Sequence, residues 1–406
     1  MNTSAYDILI VGGGAAGFFA AINAAEFNPK LRIAILERGK EVLQKVKISG
    51  GGRCNVTHAE FLPKELSKKY PRGEKELLGP FHNFMTGDSI AWFAEKGIEL
   101  KTEEDGRMFP VTDDSQTIID CFTKSCRRLG IEIRTKTSLQ DLQQEQEGWK
   151  LKTSKGNFSA KKLLLATGSN SKIWQLLEKL GYDMVEAVPS LFTFNIQDDR
   201  IDGLAGVARE AEVRIQQTKL QSSGPLLITH WGMSGPAILK LSAWGARELH
   251  RLKYQFQIKV NWIPGMEADG MLEKLKELKI AHSRQFVPSR PQFDLSKRLW
   301  QKLVRAANIP EKTNWADLNK NQLQSLAEEL TASVFQVNGK SIFKEEFVTA
   351  GGIDLKQVNF KTFESKIHPN LFFAGEILNI DAITGGFNFQ NAWTGGFVAA
   401  KAMAKN

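Results

Sequence analysis

The chain has 406 residues, of which 42% are hydrophobic and 24% charged, and its formal net charge is +9. This length suits two or three domains with a large core, and the composition excludes a disordered or fibrous chain. No apolar run reaches the about 18 residues of a membrane helix, and the N-terminus has no signal-peptide pattern. Three cysteines, Cys54, Cys121 and Cys126, argue against a disulfide scaffold, so we expect a cytoplasmic protein without a membrane partner.

The basic residues are scattered among acidic ones, with no block of five or more. Such a pattern is typical of a solvated surface, so we expect a small-molecule substrate and no dedicated nucleic-acid binding. The pI of about 9.2 keeps an RNA partner open as the alternative. The sequence does not indicate an oligomeric state.

The N-terminal segment has the order of a dinucleotide-binding unit. A β-branched run at 6–11 predicts a buried parallel strand, and an alanine-rich helix and a second strand at 31–37 follow it. The turn after the first strand fits G-x-G-x-x-G, and an acid ends the second strand about 20 positions later. We expect these residues to bind the cofactor: Gly12, Gly14, Ala15, Ala16, Gly17, Glu37 and its neighbour Arg38.

Each part of this unit has a physical role. Gly12 would allow the tight turn, Gly14 the approach of a pyrophosphate, and Gly17 the close packing of helix on strand. The helix N-terminus would offer N–H groups to the phosphates, and the Glu37 carboxylate would bind the ribose hydroxyls.

Two further strands end in glycine and favour FAD over NAD. The run at 161–165 ends in Ala166, Thr167 and Gly168, and the run at 370–373 leads to Gly375 and Glu376. The sequence resembles the two-dinucleotide-binding-domain flavoproteins here, although Glu376 stands where that class usually has Asp. The resemblance implies that both elements line FAD and that Glu376 binds its ribitol chain.

A glycine pair then precedes an apolar C-terminal helix. Backbone N–H groups at its start are expected to face the pyrimidine edge of the flavin, where negative charge develops on reduction. The residues assigned to this edge are Gly385, Gly386, Phe387 and Asn388.

The glycine run in "SGGGRCN" is costly to order and follows the Glu37 strand by a short helical stretch. We expect it to return to the flavin, with N–H groups lining an anion-binding concavity and Arg53 adding positive charge. Cys54 is either a small packed side chain or a redox residue. The residues assigned to this part of the site are Gly51, Gly52, Arg53, Cys54 and Asn55.

The sequence has no second strand-GxGxxG-helix unit. NAD(P)H is therefore a candidate transient donor that would share one cavity with the substrate. The C-x4-C pair Cys121 and Cys126 lies in a predicted helix, where residues five apart diverge, and no metal-ligand cluster is evident.

Five segments together resemble the BaiN/YhiN-like flavoprotein family, which includes aminoacetone-oxidase-like members. They are "VKISGGGRCNVTH", "DGRMFP", "LLITHWGMSGPAIL", "FVTAGGIDL" and "GEILNIDAITGGFNFQNAWTGG". The resemblance covers essentially the full chain and implies FAD and a redox reaction, but not a substrate.

We expect an α/β protein with a discontinuous Rossmann-like FAD domain and inserted β-barrel-like and helical domains. The FAD domain takes 1–190 and 345–406. The insertion comprises a β domain at 191–264, a helical domain at 265–333 and a return strand at 334–344.

For function, an FAD-dependent oxidoreductase acting on a small or hydrophobic organic substrate comes first. An FAD-dependent RNA-modifying enzyme and a non-catalytic flavin-binding protein are the alternatives. His230, at a predicted strand end, is either a proton donor or acceptor beside the flavin or a structural histidine. Cys54 is the second candidate catalytic residue.

Overall fold

The computed structural model describes residues 4–341 and 348–405. Its strands in the first half of the chain are β1 (Ser4–Val11), β2 (Ile33–Leu36), β3 (Thr57–His58), β4 (Leu100–Thr102), β5 (Arg107–Pro110), β6 (Glu132–Arg134), β7 (Leu139–Glu145), β8 (Gly148–Thr153), β9 (Gly156–Leu165), β10 (Met184–Ser190) and β11 (Thr193–Asn195). Those in the second half are β12 (Ala208–Ile215), β13 (Gln221–Thr229), β14 (Gly232–Ser234), β15 (Gln255–Asn261), β16 (Ser333–Asn338), β17 (Lys340–Ser341), β18 (Val348–Ile353), β19 (Val358–Asn359), β20 (Glu364–Ser365) and β21 (Leu371–Phe373).

The helices are α1 (Ala15–Phe27), α2 (Gln44–Ile48), α3 (Pro63–Ser67), α4 (Glu74–Phe81), α5 (Thr86–Glu95), α6 (Gln116–Arg128), α7 (Ser171–Lys179), α8 (Pro236–Trp244), α9 (Ala246–Arg251), α10 (Ala268–Ala281), α11 (Lys297–Ala306), α12 (Lys320–Thr331) and α13 (Phe387–Met403). None of those within the described ranges is long and apolar enough to cross a membrane.

Contacts divide the chain into two compact units, Met1–Val188 with Lys344–Asn406, and Pro189–Phe343. The return to the FAD domain, expected at 344–345, falls in residues 342–347 and so lies outside the described residues. The other expected domain boundaries stay predictions.

The first unit is built on a nine-stranded sheet whose centre is parallel. Strands β21, β9, β1, β2 and β6 lie side by side in that order and run in the same direction. β1 is fully apolar over its last four residues because both faces of the sheet are covered. The chain leaves β1 for β2 on one side and later returns on its other side as β9. Such a change of direction places a crevice at the carboxyl ends of the strands, where ligands bind in this architecture.

Helices α1 and α13 pack against each other through small residues. A Cβ placed on Gly396 of α13 would lie 2.9 Å from the Ala16 carbonyl oxygen of α1. This close contact joins the N-terminal end of α1 to the middle of α13.

The second unit is a seven-stranded antiparallel sheet with helices that share its core. Its strand order is β16-β15-β12-β13-β14-β11-β17. Helices α10, α11 and α12 lie between β15 and β16 in sequence, and their buried apolar residues belong to the same hydrophobic cluster as those of the sheet. Helices α8 and α9 interrupt the strands earlier than the sequence pattern indicated.

Candidate functional site

The G-x-G-x-x-G turn leaves open space at its middle glycine. A Cβ on Gly12, whose φ is +118°, would lie 2.2 Å from the Ala166 carbonyl oxygen, and one on Gly17 would lie 2.0 Å from the Gly12 carbonyl oxygen. A Cβ on Gly14 would meet no atom of the chain within 4 Å. Gly12 and Gly17 are therefore required by the fold itself, whereas Gly14 borders space that a ligand can fill.

No side chain caps the N-terminus of α1, and its first turn carries no acidic residue. A 13-residue helix ending in this way presents N–H groups and the positive end of its dipole to the open space at Gly14. This arrangement suits a phosphate group.

The Glu37 carboxylate is fixed beside the same turn. Its two oxygens accept backbone hydrogen bonds from Gly13 (2.8 Å) and Gly39 (2.6 Å). Carboxylate oxygens accept more than one hydrogen bond each, so this group can still accept from two ribose hydroxyls. Arg38, the next residue, is exposed.

The segment after β9 lies against the glycine turn. Ala166 N donates to Val11 O at 2.8 Å, which continues the parallel β1–β9 ladder one residue beyond the end of β9. The Thr167 hydroxyl is buried and has no hydrogen-bond partner among the described residues. An orphaned buried hydroxyl at this position fits a missing polar ligand group.

Glu376, in the C-terminal segment, lies beside the segment after β9. Its carboxylate pairs with Lys45 of α2, and its Oε2 lies 3.7 Å from the position of a Cβ on Gly168. A Cβ on Gly375 would lie 3.2 Å from the Ala16 Cβ. The three glycine-ended strands expected from the sequence thus meet in space. Lys45 is a residue that the sequence analysis missed, since its partner is 331 positions away.

The glycine run in "SGGGRCN" is left-handed throughout. Gly50, Gly51 and Gly52 have φ values of +59°, +69° and +88°, and Cys54 follows with +61°. A Cβ on Gly51 or Gly52 would meet nothing within 4 Å, whereas one on Gly50 would lie 2.9 Å from the Phe109 ring. Glycine is therefore favoured in this run by its left-handed backbone conformation, and the run borders open space at two of its three residues.

Arg53 is paired within the protein. Its Nη1 lies 2.6 Å from Glu103 Oε1 and 3.5 Å from Asp113, and its guanidinium stacks 3.9 Å from the Phe109 ring centroid. These partners offset the positive charge that the sequence analysis assigned to the cofactor site. A role of Arg53 toward the cofactor stays a prediction.

Cys54 is fully buried, and burial raises the pKa of its thiol to about 12. A thiol with this pKa is protonated at neutral pH and is neither a good nucleophile nor a good metal ligand. The described cysteines are all free and buried. The geometry therefore favours the packing role over the redox role for Cys54.

Asn55 connects the glycine run to the start of α13. With its amide oriented so that each atom has a partner, the oxygen accepts from Gly386 N at 3.0 Å, and the nitrogen donates to Thr57 O (3.0 Å) and Met108 O (3.3 Å). The Gly386 N–H, which we expected to face the flavin, is thus engaged by Asn55. The N–H groups that follow in the first turn of α13 are the ones left for a ligand.

The loop before α13 is held by further contacts. Buried Asp381 forms a bidentate ion pair with Arg72, and the Tyr70 hydroxyl donates to Phe387 O at 2.6 Å. The Asn388 side chain accepts from Ala382 N at 3.0 Å. The Phe387 carbonyl oxygen and the Asn388 side chain therefore help to shape the loop itself. The Arg72–Asp381 pair was not foreseen from the sequence.

His58 contacts the glycine pair directly. Its Nδ1 lies 3.1 Å from Gly385 O, and its ring lies 4.5 Å from the Phe387 ring. Burial lowers the pKa of this imidazole. Nothing local in the sequence indicates that β3 reaches Gly385, so this contact of His58 is not predictable from the sequence.

His230 lies in the second unit, in the exposed turn between β13 and β14. The neighbouring Trp231 is 60% exposed. A role for His230 beside a flavin stays a prediction.

The residues present fit FAD. Open space at Gly14 under an uncapped helix end suits the pyrophosphate, the fixed Glu37 carboxylate suits the ribose, and the orphaned Thr167 hydroxyl lacks a polar partner. The described residues contain no group of three or more side chains that could hold a metal ion.

Comparison with known families agrees with this geometry. Residues 6–402 match the family described as "HI0933-like protein Rossmann domain". The chain belongs to this family. Its members share the Rossmann-type FAD-binding fold and are FAD-dependent oxidoreductases, as the family resemblance in the sequence implied.

Two curated relatives in the family differ in their named activities. The chain is 27% identical to a ribosomal RNA dihydrouridine synthase of Escherichia coli, over 98% of this chain and 97% of the relative. It is 25% identical to a 3-dehydro-bile acid delta(4,6)-reductase of Clostridium scindens, over 98% of both chains. A second ribosomal RNA dihydrouridine synthase, from Haemophilus influenzae, is 26% identical over 98% of both chains.

Solved structures share the fold at low identity. A 3-ketosteroid-delta4-(5alpha)-dehydrogenase from Rhodococcus jostii superimposes with a TM-score of 0.54 at 12% identity, over 99% of this chain and 97% of that one. A flavocytochrome c3 fumarate reductase gives 0.52 at 16% identity, over 99% and 78%. These likenesses concern the fold alone.

Proposed function

We propose that the protein is an FAD-dependent reductase of a carbon–carbon double bond conjugated to a carbonyl group. FAD, when bound, supplies the hydride-transfer chemistry. The observation that carries the proposal is that relatives covering 98% of the chain are named for such reductions. Dihydrouridine is uridine whose ring double bond, conjugated to a carbonyl, has been reduced. A 3-dehydro bile acid that has Δ4,6 double bonds likewise carries a ketone conjugated to them.

The chain's own residues would bind and orient the cofactor. Gly14 and the N-terminus of α1 would hold the pyrophosphate, and Glu37 would hold the adenosine ribose. The first turn of α13 would place N–H groups toward the pyrimidine edge, where fixed dipoles stabilise developing negative charge. Glu376, fixed by Lys45, would bind the ribitol chain.

Uridine in ribosomal RNA is the first candidate substrate. Two relatives at 27% and 26% identity carry that activity in their names, and the net charge of +9 favours association with a polyanion. The scattered basic residues led the sequence analysis to prefer a small molecule, and the relatives' names now favour the RNA.

A small-molecule enone is the second candidate. It is supported by the bile acid reductase, which matches the chain over the same 98%. The reaction class is unchanged, so one experiment distinguishes the two substrates.

The electron donor is proposed to be NADH or NADPH. Because the sequence has no second G-x-G-x-x-G unit, the nicotinamide would occupy the cavity that the substrate later enters. This arrangement predicts ping-pong kinetics with mutual competition at high concentration. A stable complex with both donor and substrate bound would contradict it.

The test is an anaerobic half-reaction. The FAD-loaded protein is reduced with NADPH or NADH, freed of nicotinamide, and mixed with an unmodified ribosomal RNA transcript or with a steroidal 4-en-3-one. Reoxidation of the flavin by the transcript, with dihydrouridine in its nuclease digest, supports the RNA substrate. Reoxidation by the enone alone supports the second candidate. Failure of both while oxygen reoxidises the flavin would overturn the reaction class.

Two controls sharpen this test. A transcript whose uridines have been chemically reduced beforehand should not reoxidise the flavin. RNA reduction should also weaken steeply as salt rises from 50 to 200 mM, since phosphate contacts release counterions.

A further inference from the structure

The glycine pair before α13 adopts a backbone that needs support. Gly385 and Gly386 have φ values of +129° and +91°. Glycine loses more conformational freedom on ordering than other residues, so two in succession hold one geometry only when their surroundings impose it.

Strand β3 supplies that support from the other end of the chain. A Cβ on Gly386 would lie 2.6 Å from Thr57 O, and one on Gly385 would lie 3.3 Å from His58 Nδ1. Asn55 accepts from Gly386 N, while His58 faces Gly385 O at 3.1 Å. The pair is therefore held through both an N–H and a carbonyl by residues of the "CNVTH" stretch.

The His58 ring has one defined hydrogen-bonding role here. Gly385 O can only accept, so Nδ1 must carry a proton and donate it. The ring also packs on Phe387, the first residue of α13 and 2% exposed. His58 thus contacts the residues on both sides of Gly386 and fixes where α13 begins.

We propose that His58 is a positioning residue, whose Nδ1–H bond to Gly385 O aims the N–H groups in the first turn of α13 at the pyrimidine edge of bound FAD. The inference rests on FAD binding by this unit and is independent of which substrate is reduced. Dipoles aimed at developing charge stabilise it only when their orientation is fixed beforehand.

Two substitutions separate the donor from the ring. His58→Asn keeps a nitrogen donor on the same Cγ but removes the ring, whereas His58→Phe keeps a ring of similar size but removes the donor. His82, an exposed histidine after α4, gives the matched control His82→Phe. The readouts are the FAD dissociation constant and the midpoint potential of the bound flavin, with far-UV circular dichroism as a check on folding.

We expect His58→Phe to lower the midpoint potential by about 30 mV or more. That shift equals a tenfold loss of preference for the reduced over the oxidised flavin in a two-electron couple. His58→Asn should stay within half that shift of the wild type, and His82→Phe should not differ from it.

Complete loss of FAD binding by His58→Phe, with FAD retained by His58→Asn, would also support the proposal. Of the two variants, only His58→Phe lacks the nitrogen donor. A wild-type potential in His58→Phe would overturn it. Equal impairment of both variants would overturn it as well, because the donor retained in His58→Asn would then fail to preserve the flavin potential. Wild-type protein that binds no FAD would instead refute the cofactor assignment.

Discussion

Two glycine-rich turns of the first unit border open space, but glycine is required in them for different reasons. In the turn at 12–17, a side chain on Gly12 or Gly17 would collide with backbone oxygens at 2.2 and 2.0 Å. In the run at 50–52, Gly51 and Gly52 have room for a side chain but hold left-handed φ values. At Gly12 and Gly17 packing excludes a side chain, whereas at Gly51 and Gly52 the backbone conformation alone favours glycine.

Because of this difference, substitutions in the first turn should reduce the stability of the fold, whereas substitutions in the second should reduce ligand binding. Substitution at Gly12 should damage the folded unit itself. Substitution at Gly51 should strain the backbone modestly while filling space that the cofactor would approach.

Gly12→Val should have the largest effect and prevent the first unit from folding. Its Cβ would lie 2.2 Å from the Ala166 carbonyl oxygen in the segment after β9, and φ at +118° is unfavourable for any branched residue. Strain and overpacking together are expected to cost about 3 kcal/mol or more. Thermal unfolding followed by circular dichroism measures it.

Gly14→Ala is the control for that variant, since its Cβ meets no atom of the chain. It should fold normally and lose FAD affinity. If Gly12→Val folded as well as Gly14→Ala, the packing role of Gly12 would be wrong.

Gly51→Val should fold but abolish FAD binding. Left-handed backbone costs a non-glycine residue about 1–2 kcal/mol, which a chain of this size can tolerate. Gly130 is a matched control, because it has the same φ of +69° and equally open surroundings but lies after α6, outside the candidate site. Gly130→Val should suffer similar strain and keep FAD, as measured by fluorescence titration. Equal FAD affinities in the two variants would contradict the assignment of the glycine run to the site.

Glu37→Ala should weaken FAD binding by about 1.5–3 kcal/mol, the range for hydrogen bonds to a charged group. Exposed Glu41→Ala is the control. Because Glu37 also accepts from Gly13 and Gly39, Glu37→Gln tests whether the charge or the loop geometry matters. Wild-type FAD retention in Glu37→Ala would show that the carboxylate only ties down the turn.

Cys54→Ser should have the smallest effect and keep FAD and most of its reducibility. With the thiol pKa raised to about 12, Cys54 carries no thiolate at neutral pH. Alkylation of the native protein by iodoacetamide should accordingly be slow up to pH 9. A variant that kept FAD but lost all turnover would show that the thiol takes part in the chemistry.

The sequence was sufficient to predict those parts of the site whose residues lie close together along the chain. The strand, turn, helix, strand and acid of the N-terminal unit follow from periodicity and spacing over some thirty residues, and their parts meet as expected around Gly12 and Glu37. Helix α11 likewise buries Leu299 and Leu303, which are four residues apart and so share one face of the helix.

The sequence was insufficient to predict contacts between residues that lie far apart along the chain. His58 meets Gly385 across 327 positions, and Arg72 meets Asp381 across 309. No periodicity encodes such pairs, because they arise only when α13 packs beside β3. For the same reason the partners of Arg53 and of the Gly386 N–H could not be foreseen.

The identity and amount of the flavin that the protein holds test the FAD assignment most directly. Purified protein is saturated with a mixture of FAD and FMN, desalted, denatured, and its released cofactor is separated and quantified by absorbance. We predict FAD close to one per chain and almost no FMN, since the glycine turn and Glu37 bind the part that only FAD has. Bound FMN, or no bound flavin in a folded chain, would contradict the assignment of an FAD site to the first unit.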